Sequence, residues 1–289
     1  MHKKIALIMF GLSIFIAILS APLEASNSNS IQIKGSDTMV NLVQAWSEEF
    51  MKNDSSAFLA VTGGGSGTGL AALINGTCDI AASSRQIKAK EIELASKKGI
   101  TPKEYSVALD GLAVVVHKGN PVTQLTRDQL AGIFSGKINN WKEVGGTDLK
   151  IVVLSREVNS GTHVYFKEHV LRKGDSSSKA EFAPEALLLP SSQAIADEVL
   201  QNPAAIGYYG MGYISKEHQV MAVALAPGTQ PVAPSLENVT SGRYPISRPL
   251  FFYVNGEPSG LVKKFLDFCL SAEGQTLVAT MDFVPLKAS

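Results

Sequence analysis

The segment Arg156-Glu157-Val158-Asn159-Ser160-Gly161-Thr162 follows the β-branched run Ile151-Val152-Val153 and precedes a helix-like segment. A strand, a tight turn and a helix start leave several backbone N–H groups without intrahelical partners. Two hydroxyls and a guanidinium, from Ser160, Thr162 and Arg156, can reach the same point, and the group would cradle an oxyanion. Two other segments repeat the pattern: Gly35-Ser36-Asp37-Thr38 follows Ile31-Gln32-Ile33-Lys34, and the glycine-rich residues 63–69, with Ser66 and Thr68, follow Phe58-Leu59-Ala60-Val61. Three hydroxyl-bearing helix starts, with no motif that supplies a metal or a nucleophile, point to holding an anion rather than reacting with one.

Each segment also has a plainer reading. The first could be a capped surface helix with a solvated arginine. Gly161 weighs against this, because glycine in a first turn costs helix stability yet lets a ligand approach the backbone. If Asn159 or Ser160 caps the helix, the amides of Gly161, Thr162 and His163 face outward at the positive end of the dipole. Residues 63–69 fail three known motifs. A Walker loop needs Lys where Leu70 stands, a dinucleotide fingerprint begun at Gly65 needs Gly or Ala there, and a nucleophile elbow on Ser66 needs Gly in place of Thr68. Gly35-Ser36-Asp37-Thr38 alone would be an ordinary helix cap using Ser36 or Asp37, and only the repetition makes Thr38 a ligand candidate.

Ser83-Ser84-Arg85 ends a strand-like run, and strand carboxyl ends are where open α/β sheets bind ligands. Asp110 stands between Leu109 and Gly111-Leu112, just before the strongest apolar run, Leu112-Ala113-Val114-Val115-Val116. It reads equally as a solvated turn residue or as a hydrogen-bond acceptor. A carboxylate acceptor would favour hydrogen phosphate over sulfate, which has no proton to give. His117, His163, His169 and His218 lack metal-ligand spacing, so no metal or other cofactor is expected, and His163 reads as a packing or supporting residue.

Positive and negative residues balance at 26 each. Lys3 and Lys4, the apolar stretch 5–19 and small residues at Ala21 and Ala25 form the pattern of a cleavable leader over residues 1–25, too short for a comfortable membrane span. No cysteine lies near the candidate cleavage site, so no lipid anchor is expected and export to the periplasm is. Removing the leader takes two basic residues and one acidic, leaving a net charge of about −1. Neither nucleic acid nor a membrane surface is implied, and an anion would have to be captured by local geometry. The two cysteines, Cys78 and Cys269, are a candidate disulfide in an oxidising compartment, with two buried thiols as the alternative.

Strand-like and helix-like segments alternate from residue 31 to 172, the mark of an α/β fold with a mainly parallel sheet. Helices are expected at 39–51, 69–74, 91–98, 126–134, from Ser160, at 192–201 and at 261–270. A Pro- and Gly-rich loop is expected at 226–245, followed by a buried strand at 249–254. One α/β unit ends near residue 112 and a second near 245. A tail returning to the first unit would give two lobes, 26–112 plus 246–289 and 113–245, joined by two crossing segments and able to hinge on a ligand.

Taken together, these segments resemble the periplasmic phosphate-binding components of bacterial phosphate ABC importers. The similarity spans residues 30 to 286. It rests on Gly35-Ser36-Asp37-Thr38, residues 63–69, Ala82-Ser83-Ser84-Arg85, Asp110-Gly111, Arg156 with Ser160-Gly161-Thr162, Ile206-Gly207-Tyr208 and Phe283-Val284-Pro285-Leu286. The resemblance implies a two-lobed Venus-flytrap fold, each lobe a mainly parallel sheet flanked by helices, binding dehydrated inorganic phosphate between the lobes without catalysis. Ser36, Thr38, Met39 and Ser66 would bind from one lobe, and Arg156, Ser160, Gly161 and Thr162 from the other. Some members carry aspartate where Ser84 stands, so Ser84 would donate to phosphate and the acceptor role would pass to Asp110. The implied partner is an ABC permease in the inner membrane, and a monomer is expected. The rivals are a receptor for sulfate, molybdate or tungstate, an extracellular phosphate-binding adhesin or sensor, and an exported hydrolase using Ser66 or Ser160.

Overall fold

The computed structural model describes residues 29–286, so the expected leader at 1–25 lies outside the described residues. The first unit runs β1 (Ser30–Gly35), a 3-10 turn (Asp37–Met39), α1 (Val40–Asn53), β2 (Phe58–Thr62), α2 (Ser66–Ile74), β3 (Ile80–Ser83) and α3 (Ala89–Lys97). The long strand β4 (Pro102–His117) then leaves it. The second unit contains β5 (Gln124–Thr126), α4 (Arg127–Phe134), β6 (Val152–Arg156), α5 (Gly161–Phe166), β7 (Leu187–Leu189), α6 (Ser192–Gln201), β8 (Ala205–Gly210), β9 (His218–Val220), β10 (Ala222–Ala224) and α7 (Leu236–Thr240). The chain returns through β11 (Ser247–Asn255) and ends in α8 (Gly260–Leu270) and α9 (Ala272–Thr280).

The main sheet has the order β2-β1-β3-β11-β4-β8-β6-β7. Within each lobe the outer strands are parallel: β1 with β2 and β3, β6 with β7 and β8. The two lobe-crossing strands are antiparallel to their neighbours and make the sheet mixed. β4 pairs with β11 as far as Gly111 and with β8 from Leu112, so its hydrogen-bonding partner changes between those residues. Apolar side chains segregate accordingly. Ile31, Trp46, Phe252 and Phe265 belong to one buried cluster, while Val114, Phe134, Phe166 and Tyr208 belong to another. The tail supplies Phe265, Leu266, Cys269 and Val278 to the first cluster.

Several details differ from the sequence expectation. α2 begins at Ser66 rather than Gly69, because Gly64 (φ 109°) and Gly65 (φ 94°) complete the turn and release Ser66 into the helix. Asp110 does not precede its strand but lies within β4, where pairing with β11 extends the strand well upstream of the apolar run. α9 is an additional helix, begun by the Ser271 hydroxyl accepting from the Gly274 amide at 3.2 Å, and α7 interrupts the expected loop at 226–245.

The Cys78–Cys269 disulfide is corrected: both thiols are free. Side chains alternate across a strand, and Ile80, Ala82, Phe252 and Val254 face the cluster that holds Cys269. Ala81, Phe251 and Tyr253 face the opposite side, against which Cys78 packs. The sheet therefore stands between two residues whose Cα atoms would need to approach within about 7 Å. Burial pushes the Cys78 thiol up to about 12 and the Cys269 thiol well above its usual value.

Candidate functional site

The carboxyl ends of four strands that run parallel to a neighbour, β1, β2, β3 and β6, lead into the loops that carry the candidate residues. Strands of opposite lobes thus present their loops to one point between them. From the first lobe, the Ser36 hydroxyl donates to Ser84 Oγ at 2.9 Å, and the Ser84 amide donates to Ser66 Oγ at 3.0 Å. Across the cleft, Thr38 Oγ1 and Thr162 Oγ1 lie 2.7 Å apart. Ser84 Oγ is 3.5 Å from Thr162 Oγ1. Ser36, Thr38, Ser66, Ser84, Ser160 and Thr162 are all buried.

Gly161 is required at this junction. A Cβ there would lie 2.2 Å from Ser66 Oγ and 2.7 Å from Ser84 Oγ, inside any ordinary contact distance. Ser160 is the N-cap of α5, its hydroxyl accepting from the His163 amide at 3.4 Å. The first-turn amides that follow lack intrahelical acceptors by the geometry of a helix start. Asn159, the other capping candidate, instead clamps the glycine-rich loop. Its side-chain amide donates to Gly64 O at 2.9 Å, and its carbonyl accepts from the Gly67 amide at 2.9 Å. The Met39 amide closes the 3-10 turn onto Ser36 O at 3.1 Å, so its donor is directed into the backbone.

Two arginine–aspartate pairs flank the hydroxyls, one fully buried and one between a buried arginine and a partly buried aspartate. Arg156 Nη1 lies 3.2 Å from Asp37 Oδ2, and the same guanidinium donates to Ser192 Oγ, Pro190 O and Leu189 O. Asp37 Oδ2 also accepts from the Ser192 amide at 2.7 Å, and the Tyr213 hydroxyl donates to Asp37 O at 2.9 Å. Asp37 therefore joins the lobes instead of capping a helix. Burial lowers the Arg156 pKa from its ordinary value, and the Asp37 carboxylate opposes that shift.

The second pair is Asp110 with Arg248. Arg248 Nε and Nη2 donate to Asp110 Oδ2 at 3.1 and 2.9 Å, and the Met211 amide donates to Asp110 Oδ1 at 3.0 Å. Both side chains are essentially inaccessible, at 1% and 0%. Burial pushes the Asp110 carboxyl up, against the opposing charge of Arg248 and the bonds from Arg248 and the Met211 amide. Arg248 Nη2 also donates to Thr162 Oγ1 at 2.9 Å, which places a guanidinium within the hydroxyl cluster.

Sequence reasoning missed Arg248. The available signal was a charge at the head of the apolar run 250–254, much as Asp110 heads the run 112–116. Arg85, adjoining Ser84, is turned away into a two-bond pair with Glu91. His163 lies in the second lobe's interior, with Nδ1 3.2 Å from Ser155 Oγ and its ring against Phe182, and burial lowers its pKa to about 4. Among the described residues no group of His, Cys, Asp and Glu is arranged to hold a metal ion. The arrangement can surround a small acceptor-rich ion with hydroxyl, amide and guanidinium donors from both lobes.

The comparisons with known proteins converge on one group. A model of the PBP superfamily domain matches residues 20–273. The phosphate-binding protein PstS of Pseudomonas aeruginosa is 34% identical over 278 residues, covering 90% of this chain and 84% of its own. Its Bacillus subtilis namesake is 35% identical over 271 residues, covering 92% and 84%. A Clostridium perfringens protein, solved with bound phosphate and described as a phosphate ABC transporter substrate-binding protein, has a TM-score of 0.80 at 33% identity, covering 90% of this chain and 100% of its own. An ABC-type phosphate transport receptor from Vibrio cholerae has a TM-score of 0.70 at 31% identity, covering 89% and 100%. The chain belongs to the PBP superfamily and, within it, to the PstS group of phosphate-binding proteins.

Proposed function

We propose that this protein is a phosphate receptor of the extracytoplasmic space. It closes two lobes over inorganic phosphate and delivers the ion to an ABC importer in the inner membrane. The observation that carries the reading is the convergence of Ser36, Thr38, Ser66 and Ser84 with Gly161, Thr162 and Arg248 at one buried point between lobes. A dehydrated tetrahedral anion needs about that many donors to replace its water, and bonds to a charged group contribute roughly 1.5–3 kcal/mol each. Names and bound ligands of the relatives agree with it.

Among the described residues, 29–112 and 246–286 act as one rigid body and 113–245 as the other, with β4 and β11 as the hinge. Both half-sites come from one chain, so the monomer is the working unit. The leader-like residues 1–25 account for export. In this reading Arg156 serves chiefly through Asp37 and Ser192, holding the second lobe's loop in place, while Ser160, Gly161 and Thr162 face the ion. Binding rather than hydrolysis is favoured by the engagement of His163, whose Nδ1 meets Ser155 Oγ and whose ring packs on Phe182 instead of serving either candidate nucleophile, Ser66 or Ser160.

Calorimetry on phosphate-stripped protein tests this. Tight one-to-one binding of phosphate with a much weaker response to sulfate is the expected result. Equal affinity for sulfate, or heat only with molybdate or tungstate, would transfer the protein to another oxyanion. Turnover of phosphate or carboxylic esters would return the hydrolase reading.

A further inference from the structure

Helix α2 starts without a cap of its own. Its N-cap position is Gly65, which has no side chain to offer, and the first N–H groups of a helix have no intrahelical acceptor. The Gly65 amide is taken by Gly35 O at 2.8 Å, within the same lobe. The Gly67 amide is taken from across the cleft, by Asn159 O at 2.9 Å.

The Asn159 side chain adds a second grip on the same turn. Its Nδ2 donates to Gly64 O at 2.9 Å and to Thr68 Oγ1 at 3.2 Å, and Thr68 Oγ1 donates in turn to Gly64 O at 2.7 Å. Both amide hydrogens are used, and a carbonyl that only accepts fixes which end of the amide faces it. The glycines of the turn admit this contact. A Cβ at Gly65 would lie 2.9 Å from Asn159 O, and one at Gly67 would lie 3.2 Å from it. The clasp sits at the rim of the cleft, where Glu157, Val158 and Asn159 are all exposed, whereas the Thr38–Thr162 contact is buried.

We infer that Asn159 is a positioning residue that caps α2 from the opposite lobe and sets the rate at which the closed receptor lets its ligand go. The inference rests on the two-lobed phosphate reading and deepens it. Opening the cleft carries Asn159 away with the second lobe and leaves the Gly67 N–H to water, so the first turn of α2 is complete only in the closed form. That turn holds Ser66, whose Oγ accepts from the Ser84 amide inside the hydroxyl cluster. Contacts present in the closed form and absent from the open one slow opening and leave capture of the ion by the open form unchanged.

The test is Asn159→Ala, which removes the side-chain grip at an exposed position and leaves the residues around the ion in place. Chasing radiolabelled phosphate from the protein with excess unlabelled phosphate gives the release rate, and calorimetry gives the affinity. Release should be about tenfold faster, the loss of one or two hydrogen bonds of ordinary net strength. Affinity should fall by the same factor, so that the association rate is unchanged, and the melting midpoint of the ligand-free protein should not move. In the wild-type protein, phosphate should slow hydrogen exchange at the Gly67 amide, read by NMR, and Asn159→Ala should lose part of that protection. Unaltered release from the variant, or a loss of affinity carried by slower association, would overturn the inference. If the variant does not fold, the wild-type exchange still decides: a Gly67 amide equally protected with and without bound phosphate overturns it. Wild-type protein that binds no phosphate at all would instead overturn the proposed function.

Discussion

Replacing Gly161 with alanine should separate ligand affinity from folding. No positive φ restricts this glycine, so the backbone accepts alanine, and a first-turn helical position gains slightly from a better helix former. The added Cβ would sit 2.2 Å from Ser66 Oγ and 2.9 Å from Ser66 Cβ. Rotating the serine hydroxyl relieves only the first overlap and takes the acceptor away from the Ser84 amide, which it holds at 3.0 Å. Closure would then proceed with the Ser66 hydroxyl displaced and the Ser84 N–H unsatisfied. A charge-assisted bond of roughly 1.5–3 kcal/mol and a buried donor at about 1 kcal/mol or more give roughly 2.5–4 kcal/mol. The expected loss of phosphate affinity is about 70- to 1000-fold. Titration calorimetry reads this directly, and thermal melting of the ligand-free protein should show a midpoint unchanged or slightly raised. Wild-type affinity in Gly161→Ala would refute the argument that the two loops meet this closely in the bound state, and a large fall in the ligand-free midpoint would show that Gly161 serves the fold instead.

Asp37→Ala should weaken the tie between lobes, since it removes the Arg156 contact and the acceptor for the Ser192 amide. Asp37 is only partly buried, so the cost should fall near 1–3 kcal/mol, below the full cost of breaking a buried pair, read as a lower melting midpoint and a larger radius by small-angle scattering with ligand. His163 is held neutral in the fold, its pKa lowered to about 4 from 6.5. The unfolded chain therefore binds more protons between those values, and stability contributed by this group is full above about pH 6.5 and falls on acidification toward 4, by up to about 3 kcal/mol. His163→Gln should flatten that part of a stability–pH profile, and an unaltered slope would contradict the assignment. Both cysteines are free and their thiols are pushed up, so native protein should react slowly with thiol reagents, denatured protein should show two reactive thiols, and a reductant should leave the melting midpoint unchanged.

The local chemistry of the candidate loops was legible in the chain. Hydroxyls and glycines at Gly35-Ser36-Asp37-Thr38, residues 63–69 and Ser160-Gly161-Thr162 follow β-branched runs, and that order by itself implies strand, turn and helix start. Ser160 is the N-cap of its helix, and α6 occupies the expected 192–201. The apolar patterns at 112–116 and 249–254 likewise announced buried strands. What these patterns cannot convey is which side chains meet across the cleft.

Asp37 reads locally as a cap, yet it forms an ion pair with Arg156 and accepts from the Ser192 amide, 119 and 155 positions away. Asp110 could be a solvated turn residue until β11 pairs beside it and brings Arg248, 138 positions later, onto its carboxylate. The cysteines carry no local mark of the sheet that separates them. Backbone propensity and hydrophobic period act over a few residues, so they determine elements and their order. Buried ion pairs and hydroxyl contacts depend on strand pairing across the whole chain, and only the folded arrangement decides whether a donor spends its hydrogen on its own backbone, on the opposite lobe or on a ligand.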